Sequence, residues 1–169
     1  CSTVLVFAEC PDPDNRRRPS VFIVEKDCPG FSAGEIEDLC GMRANPVSSL
    51  FFEDCRIPKD NLLGRLGDGL KIGLTALDTG RIGIAAQALG IAQAAFDASV
   101  SYSKERQQFK KPISRFQTIQ NYLAEMATKI EAARLLLYRA CALKDSGKPF
   151  SCQASMAKLF CSETAKEVT

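Results

Sequence analysis

One stretch narrows the folds open to this chain more than any other. From Phe116 onward, Phe116, Ile119, Leu123, Met126, Ile130, Ala133, Leu137 and Ala140 recur in steps that alternate three and four. A helix puts such residues on one side, and a seam this long has to be covered by another helix, as in a bundle. Lys111-Pro112-Ile113-Ser114 breaks the chain before the seam, and Gly147-Lys148-Pro149 ends it.

Two further helices flank that one. Gly67-Asp68-Gly69 leads into a long segment that ends near Arg106. Its middle is crowded with Gly80, Gly83, Ala85, Ala86, Ala88, Gly90, Ala92, Ala94 and Ala95. Each glycine in a helix costs about 1 kcal/mol against alanine, so this helix is expected to be central, with a close neighbour that offsets the loss. Ser151 to Thr169 reads as a third helix, through Ala154, Met156, Ala157, Leu159, Phe160 and Ala165. Three helices with no stop after the third look like an unfinished bundle.

Residues 1–64 have another texture. They hold 7 basic and 11 acidic residues, a net of −4, whereas 65–169 hold 15 and 9, a net of +6. Thr3-Val4-Leu5-Val6-Phe7, Ser20-Val21-Phe22-Ile23-Val24 and Ser48-Ser49-Leu50-Phe51-Phe52 are rich in β-branched and aromatic residues and read as strands. Pro11-Asp12-Pro13-Asp14-Asn15 and Cys28-Pro29-Gly30 read as turns, and Arg16-Arg17-Arg18 as a solvated loop tip. The strands look antiparallel and too few to close a barrel. The expected fold is therefore α+β: antiparallel strands in 1–64, then long helices of an antiparallel four-helix-type bundle in 65–169, incomplete as it stands.

Composition serves mainly to exclude. Apolar residues make up 46% and charged residues 25%, as in ordinary globular proteins. The net charge of +2 gives no reason to expect a nucleic-acid partner. With no His, His-based metal sites and Ser-His-Asp triads cannot be built. No apolar run reaches the ~18 residues that a membrane helix needs. The eight cysteines include no C-x-x-C spacing, so neither zinc nor a secreted disulfide scaffold is expected. Cys141, Cys152 and Cys161 read as small packing residues in helices. The chain opens on Cys1 rather than Met, without a visible signal or transit peptide, and is expected to start inside a longer protein.

Few residues suggest chemistry on their own. Gly64-x-x-Gly67-x-Gly69 matches no phosphate-binding fingerprint and is most simply a hinge into the helix. Glu37-Asp38 and Glu53-Asp54 read as solvated strand edges. Asp78 and Arg81 are three apart on one helical face and can pair, as an ordinary intrahelical salt bridge or as part of a site. Arg106-Gln107-Gln108-Phe109, with Gln117 beyond the break, offers a planar guanidinium and amides suited to phosphate. Arg106 could equally be a helix C-terminal cation that satisfies the dipole.

Longer motifs carry a resemblance. Leu50-Phe51-Phe52-Glu53-Asp54-Cys55-Arg56-Ile57-Pro58-Lys59-Asp60-Asn61-Leu62-Leu63-Gly64 resembles the linker that leaves the middle β domain of acyl-CoA dehydrogenases. Asp78-Thr79-Gly80-Arg81-Ile82-Gly83-Ile84-Ala85-Ala86-Gln87-Ala88-Leu89-Gly90 resembles that family's first long C-terminal helix. Glu105-Arg106-Gln107-Gln108-Phe109, with Pro112-Ile113 and Phe116-Gln117, is similar to the signature that follows it. The likeness runs over nearly the whole chain and is nearest to short-chain and short/branched-chain members. It implies that 1–64 is the end of the middle β domain and 65–169 the first part of the C-terminal helical domain. It implies FAD as cofactor, an acyl-CoA thioester as substrate, an electron-transfer flavoprotein as electron acceptor, a dimer-of-dimers homotetramer, and the mitochondrial matrix. In such enzymes a carboxylate takes the α-proton while the flavin takes the β-hydride. Leu77, Asp78 and Arg81 match positions that line the acyl-CoA site. Arg106, Gln108, Phe109 and Gln117 match positions that reach the FAD of a neighbouring subunit, with Arg106 at the pyrophosphate.

The chain also departs from the family pattern. The usual catalytic Glu lies beyond the segment matching Thr169. The other known location of the base, directly before Arg81, holds Gly80, so no catalytic residue is assigned. Lys110 stands where glycine is usual, and Ala44-Asn45-Pro46-Val47 replaces a hydroxyl-rich loop. The expectation is an oxidoreductase of short or short-branched acyl-CoA in fatty-acid or branched-chain amino-acid breakdown, with this stretch inactive alone. The alternative is a non-catalytic isoform that acts as an oligomerisation module, and no metal is expected.

Overall fold

A computed structural model describes residues 3–11 and 16–169. Two compact units divide between Leu74 and Thr75. In the first, β1 (Thr3–Pro11) pairs antiparallel with β2 (Arg17–Glu25), and β2 pairs with the short β5 (Leu62–Leu63). A second, two-stranded sheet joins β3 (Phe31–Ile36) to β4 (Ser48–Phe52), Phe31 opposite Phe52. No barrel closes among the described residues. β3 is a strand that the alternation of 1–64 did not reveal, because Ser-Ala-Gly-Glu lacks β-branched residues and Gly34 interrupts it. Arg17 and Arg18 are strand residues opposite Pro11 and Cys10, not a loop tip. Pairing to β1 overrides the charge run there. Of the expected first turn, residues 12–15 lie outside the described residues.

β1 shows why its sheet is two-sided. Val4, Val6, Ala8 and Cys10 point to the more buried face, while Leu5 and Phe7 alternate outward and stay half-exposed. Ser20, Val21 and Val24 of β2 are buried in this unit, as is Gly69. The Ser20 hydroxyl accepts a hydrogen bond from the Gly67 N–H at 2.9 Å. A Cβ at Gly69 would lie 2.5 Å from the Pro19 carbonyl oxygen, so the helix start needs glycine for close approach.

Helix α1 runs over Gly69–Glu105, α2 over Gln117–Asp145 and α3 over Ser151–Val168. The expected seam of α2 is present. Ile130, Ala133, Leu137 and Ala140 are buried, and Phe116, Ile119, Leu123 and Met126 are half-buried. From α3, Ala154, Ala157, Cys161, Thr164 and Val168 are buried at steps of three and four. Met156, Leu159 and Phe160 face outward. Small residues on both sides let α2 and α3 approach closely. The Cys161 Sγ lies 3.6 Å from the Ala133 carbonyl, Lys129 pairs with Glu167, and Ala85, Leu89 and Ala92 of α1 join the same cluster.

Among the described residues, the close neighbour expected for the mid-helix glycines of α1 is not found, although Gly69 and Gly73 at its start each have one. A Cβ built at Gly80, Gly83 or Gly90 meets nothing within 4 Å. At roughly 100° per residue, these glycines fall on the side of α1 opposite Ala85, Leu89 and Ala92. Among the described residues, packing uses the alanine face, and nothing covers the mid-helix glycines. Cys152 is likewise exposed rather than packed, whereas Cys161 is buried and Cys141 half-buried. No described helix is long and apolar enough to cross a membrane.

Candidate functional site

Two polar clusters arise in the helical unit. The first lies near the start of α1. Asp78 and Arg81 are one helical turn apart, and Arg81 Nη1 donates to Asp78 Oδ1 at 2.5 Å. The carboxylate is mostly covered, and the guanidinium about one-third exposed. Leu77 beside them is 57% exposed, a large apolar surface next to an ion pair. Such a combination can hold a ligand with an apolar chain and polar groups. The position before Arg81 is Gly80, so no side chain there can take a proton.

The second cluster is built by a tight hairpin. Arg106 follows α1. Its N–H donates to the Tyr102 carbonyl at 2.8 Å, and its carbonyl accepts from the Ile113 N–H at 2.9 Å. Its backbone is pinned on both sides while its side chain is exposed. Then β6 (Gln107–Gln108) pairs antiparallel with β7 (Lys111–Pro112), Gln107 opposite Pro112 and Gln108 opposite Lys111. The two loop residues, Phe109 and Lys110, have φ of 50° and 65°. That is the backbone of a type I′ turn, which matches strand twist but favours Gly or Asn. Lys110, standing where glycine is usual, therefore adopts the positive φ itself.

The strained turn displays its side chains. Phe109 is 84% exposed, the barest of the exposed large apolar residues among those described, yet its ring meets Phe116 edge-on at 6.1 Å. Lys111 Nζ stands 4.3 Å from the Phe116 ring centre. The sequence reading missed this support, although Lys111 and Phe116 bracket the break and could have suggested it. Gln108 and Gln117 are both exposed, Gln117 opening α2. A guanidinium, two side-chain amides and an unburied aromatic ring are thus presented from one hairpin and the helix start after it. This donor set fits a pyrophosphate with an adjoining planar ring system.

The clusters do not meet within one chain. Arg81 and Arg106 lie 25 positions apart along or just past one continuous helix, roughly 37 Å at 1.5 Å per residue. Two sites, or one site shared between copies, are the arrangements open to them. Among the described residues, no group of three His, Cys, Asp or Glu could hold a metal ion.

Comparison with known proteins gives the family of the chain. Residues 67–169 match the family described as acyl-CoA dehydrogenase, C-terminal domain. The chain is 51% identical over 168 residues to the mitochondrial short-chain specific acyl-CoA dehydrogenase of Bos taurus, covering 99% of this chain and 41% of that protein. Three solved structures are also similar. One is of the electron transferring flavoprotein of Acidaminococcus fermentans (53% identity, TM-score 0.89, 99% of this chain and 44% of that one). Another is butyryl-CoA dehydrogenase from Megasphaera elsdenii (44%, TM-score 0.91, 99% and 44%). The third is PigA with FAD and proline (30%, TM-score 0.90, 99% and 44%). The chain spans about two-fifths of the length of the curated relatives that it matches.

Proposed function

The chain belongs to the acyl-CoA dehydrogenase family, and from that premise we propose that it serves the α,β-desaturation of a short or short-branched acyl-CoA. Its 51% identity to a short-chain specific enzyme supports the substrate class. The observation that carries the proposal is the outward display of Arg106, Gln108, Phe109 and Gln117 from a hairpin whose backbone is fixed at both ends. These four would hold FAD, with Arg106 at the pyrophosphate. When bound, FAD supplies the acceptor for the β-hydride. The residues of this chain bind and orient. Arg106 neutralises phosphate charge, Gln108 and Gln117 donate amide hydrogens, and Phe109 offers a face for a planar group. At the first cluster, Leu77 would contact the acyl chain, and Asp78 would hold Arg81 toward the thioester ligand. The roughly 37 Å between clusters supports an assembly in which one copy's hairpin completes another copy's site, as in a dimer of dimers. An electron-transfer flavoprotein is the proposed electron acceptor, and the mitochondrial matrix the proposed compartment.

Residues 1–64 are taken as the end of a middle β domain and 65–169 as the first part of a helical domain. Among residues 1–169, neither family location of the base supplies a carboxylate, so this stretch alone is expected not to turn over butyryl-CoA. Measurable turnover by the isolated chain would overturn that reading. The site assignment is tested in the complete protein by Arg106→Ala. Loss of the flavin absorbance on purification, with helicity retained, is expected, and unchanged flavin retention would remove the assignment. Bleaching of that absorbance by butyryl-CoA tests the substrate class.

A further inference from the structure

Two thiols with no place in the proposed chemistry lie side by side. Cys28 is in the turn after β2 and Cys55 in the segment after β4, 27 positions apart, yet their sulfurs are 3.3 Å from each other. The backbone holds them there. Glu53 N–H donates to the Gly30 carbonyl at 2.8 Å, and Cys28 is tied to Glu25 and Phe31 by hydrogen bonds of 3.1 Å. Gly30 has φ of 83°, and a Cβ on it would lie 2.1 Å from the Glu53 oxygen and 3.1 Å from the Cys55 nitrogen. The Phe31 and Phe52 rings, 5.1 Å apart, secure the adjoining strand ends. Both thiols remain free and partly accessible, and among the described residues no third metal-ligating side chain completes a site with them.

We propose that Cys28 and Cys55 are a reversible disulfide site, closed by a peroxide oxidant and opened by thiols. Bond formation needs the sulfurs to close by about 1.3 Å, to a covalent length of about 2.05 Å, a distance within the reach of side-chain rotation. Partial desolvation first, and then the adjacent Cys28 sulfur, push the Cys55 thiol above its ordinary value. We take Cys28 as the attacking thiolate and Cys55 as the resolving thiol. The Cys28 thiol gives up its proton, the thiolate attacks hydrogen peroxide, the O–O bond breaks, and a sulfenic acid forms with hydroxide, which takes up that proton and leaves as one water. The Cys55 sulfur then displaces the sulfenic oxygen as a second water, and the S–S bond forms. Two electrons leave the thiols and reduce one peroxide. The bond ties the turn before β3 to the exit of β4, so it encloses that hairpin in a covalent loop.

The test treats the purified chain with hydrogen peroxide, alkylates the remaining thiols and digests with trypsin without reductant. Trypsin leaves Cys28 and Cys40 on one peptide, so mapping uses a Cys40→Ser background. The expected product is a linked Cys28–Cys55 peptide lighter by two hydrogens. Alkylation of both thiols falls to background together and returns with dithiothreitol. Cys28→Ser and Cys28→Ala, each checked for native circular dichroism, should leave Cys55 fully alkylatable after the same dose. Persistent alkylation of Cys55 in the oxidised parent chain, or Cys55 bridged to a different cysteine or a second copy, would overturn the proposal.

Discussion

The β unit and the helical unit are ordered by different means. Among the described residues, the buried apolar side chains of the first are Val21 and Val24, whereas eleven lie in the helical unit. In the β unit, Leu5, Phe7, Leu50, Phe51 and Phe52 stay at least two-fifths exposed, so register and turns carry its order. In the helical unit, a seam of alanines with Ile130, Leu137 and Cys161 is closed by burial. Burial is roughly proportional to apolar area and indifferent to direction. Turns depend on individual backbone angles. Substitutions should therefore act by volume in one unit and by conformation in the other.

Leu137→Ala should show this contrast most strongly. Leu137 is 4% exposed, and its truncation should cost about 3 kcal/mol, read as a lower urea midpoint. Phe51→Ala, at 52% exposure, should cost under about 1 kcal/mol. Equal losses would break the comparison. Next comes Gly30→Ala, which adds little volume but meets both a positive φ and the Glu53 carbonyl. A loss of about 2 kcal/mol is expected, and a neutral result would show that the turn can relax. Asp78→Asn removes one end of a pair outside the seam. Because Arg81 is about one-third exposed, the stability change should stay below about 1 kcal/mol, separating any effect on ligand binding from folding. Lys110→Gly relieves a residue at φ 65° and should stabilise by less than about 1 kcal/mol.

The smallest effect is one of pH. The hydrogen bond to Glu167 raises Lys129 above its ordinary 10.5. A group raised in the folded state contributes fully below its unfolded value and loses that contribution as pH rises through the folded value. The urea midpoint should therefore fall further above pH 10.5 in the parent than in Lys129→Met. Parallel curves would show that the pair adds nothing.

The helices were legible because a period of three and four over Phe116–Ala140 has one physical solution, and the proline-glycine breaks around it match the observed ends. β1, β2 and β4 were legible from their β-branched and aromatic runs. β3 was not, because its order comes from pairing with β4 rather than from its own residues. The mid-helix glycines of α1 misled for a related reason. Composition says that a helix is narrow on some side, but not which side its neighbours use. At the candidate site, the residues Arg106, Gln108, Phe109 and Gln117 could be named from sequence, but the type I′ hairpin and the Lys111–Phe116 contact could not. Nothing in the spacing of Cys28 and Cys55 announced their approach, which follows from strand register and the Gly30 turn.

Cys161 gives the alanine seam a clock. Its sulfur is fully buried beneath the Ala133 carbonyl, so a thiol reagent reaches it only when α2 and α3 part. At low reagent the labelling rate follows the population of the opened form, and at saturating reagent it follows the opening rate itself. One native atom thus reports both how often the helices separate and how fast, without any introduced probe.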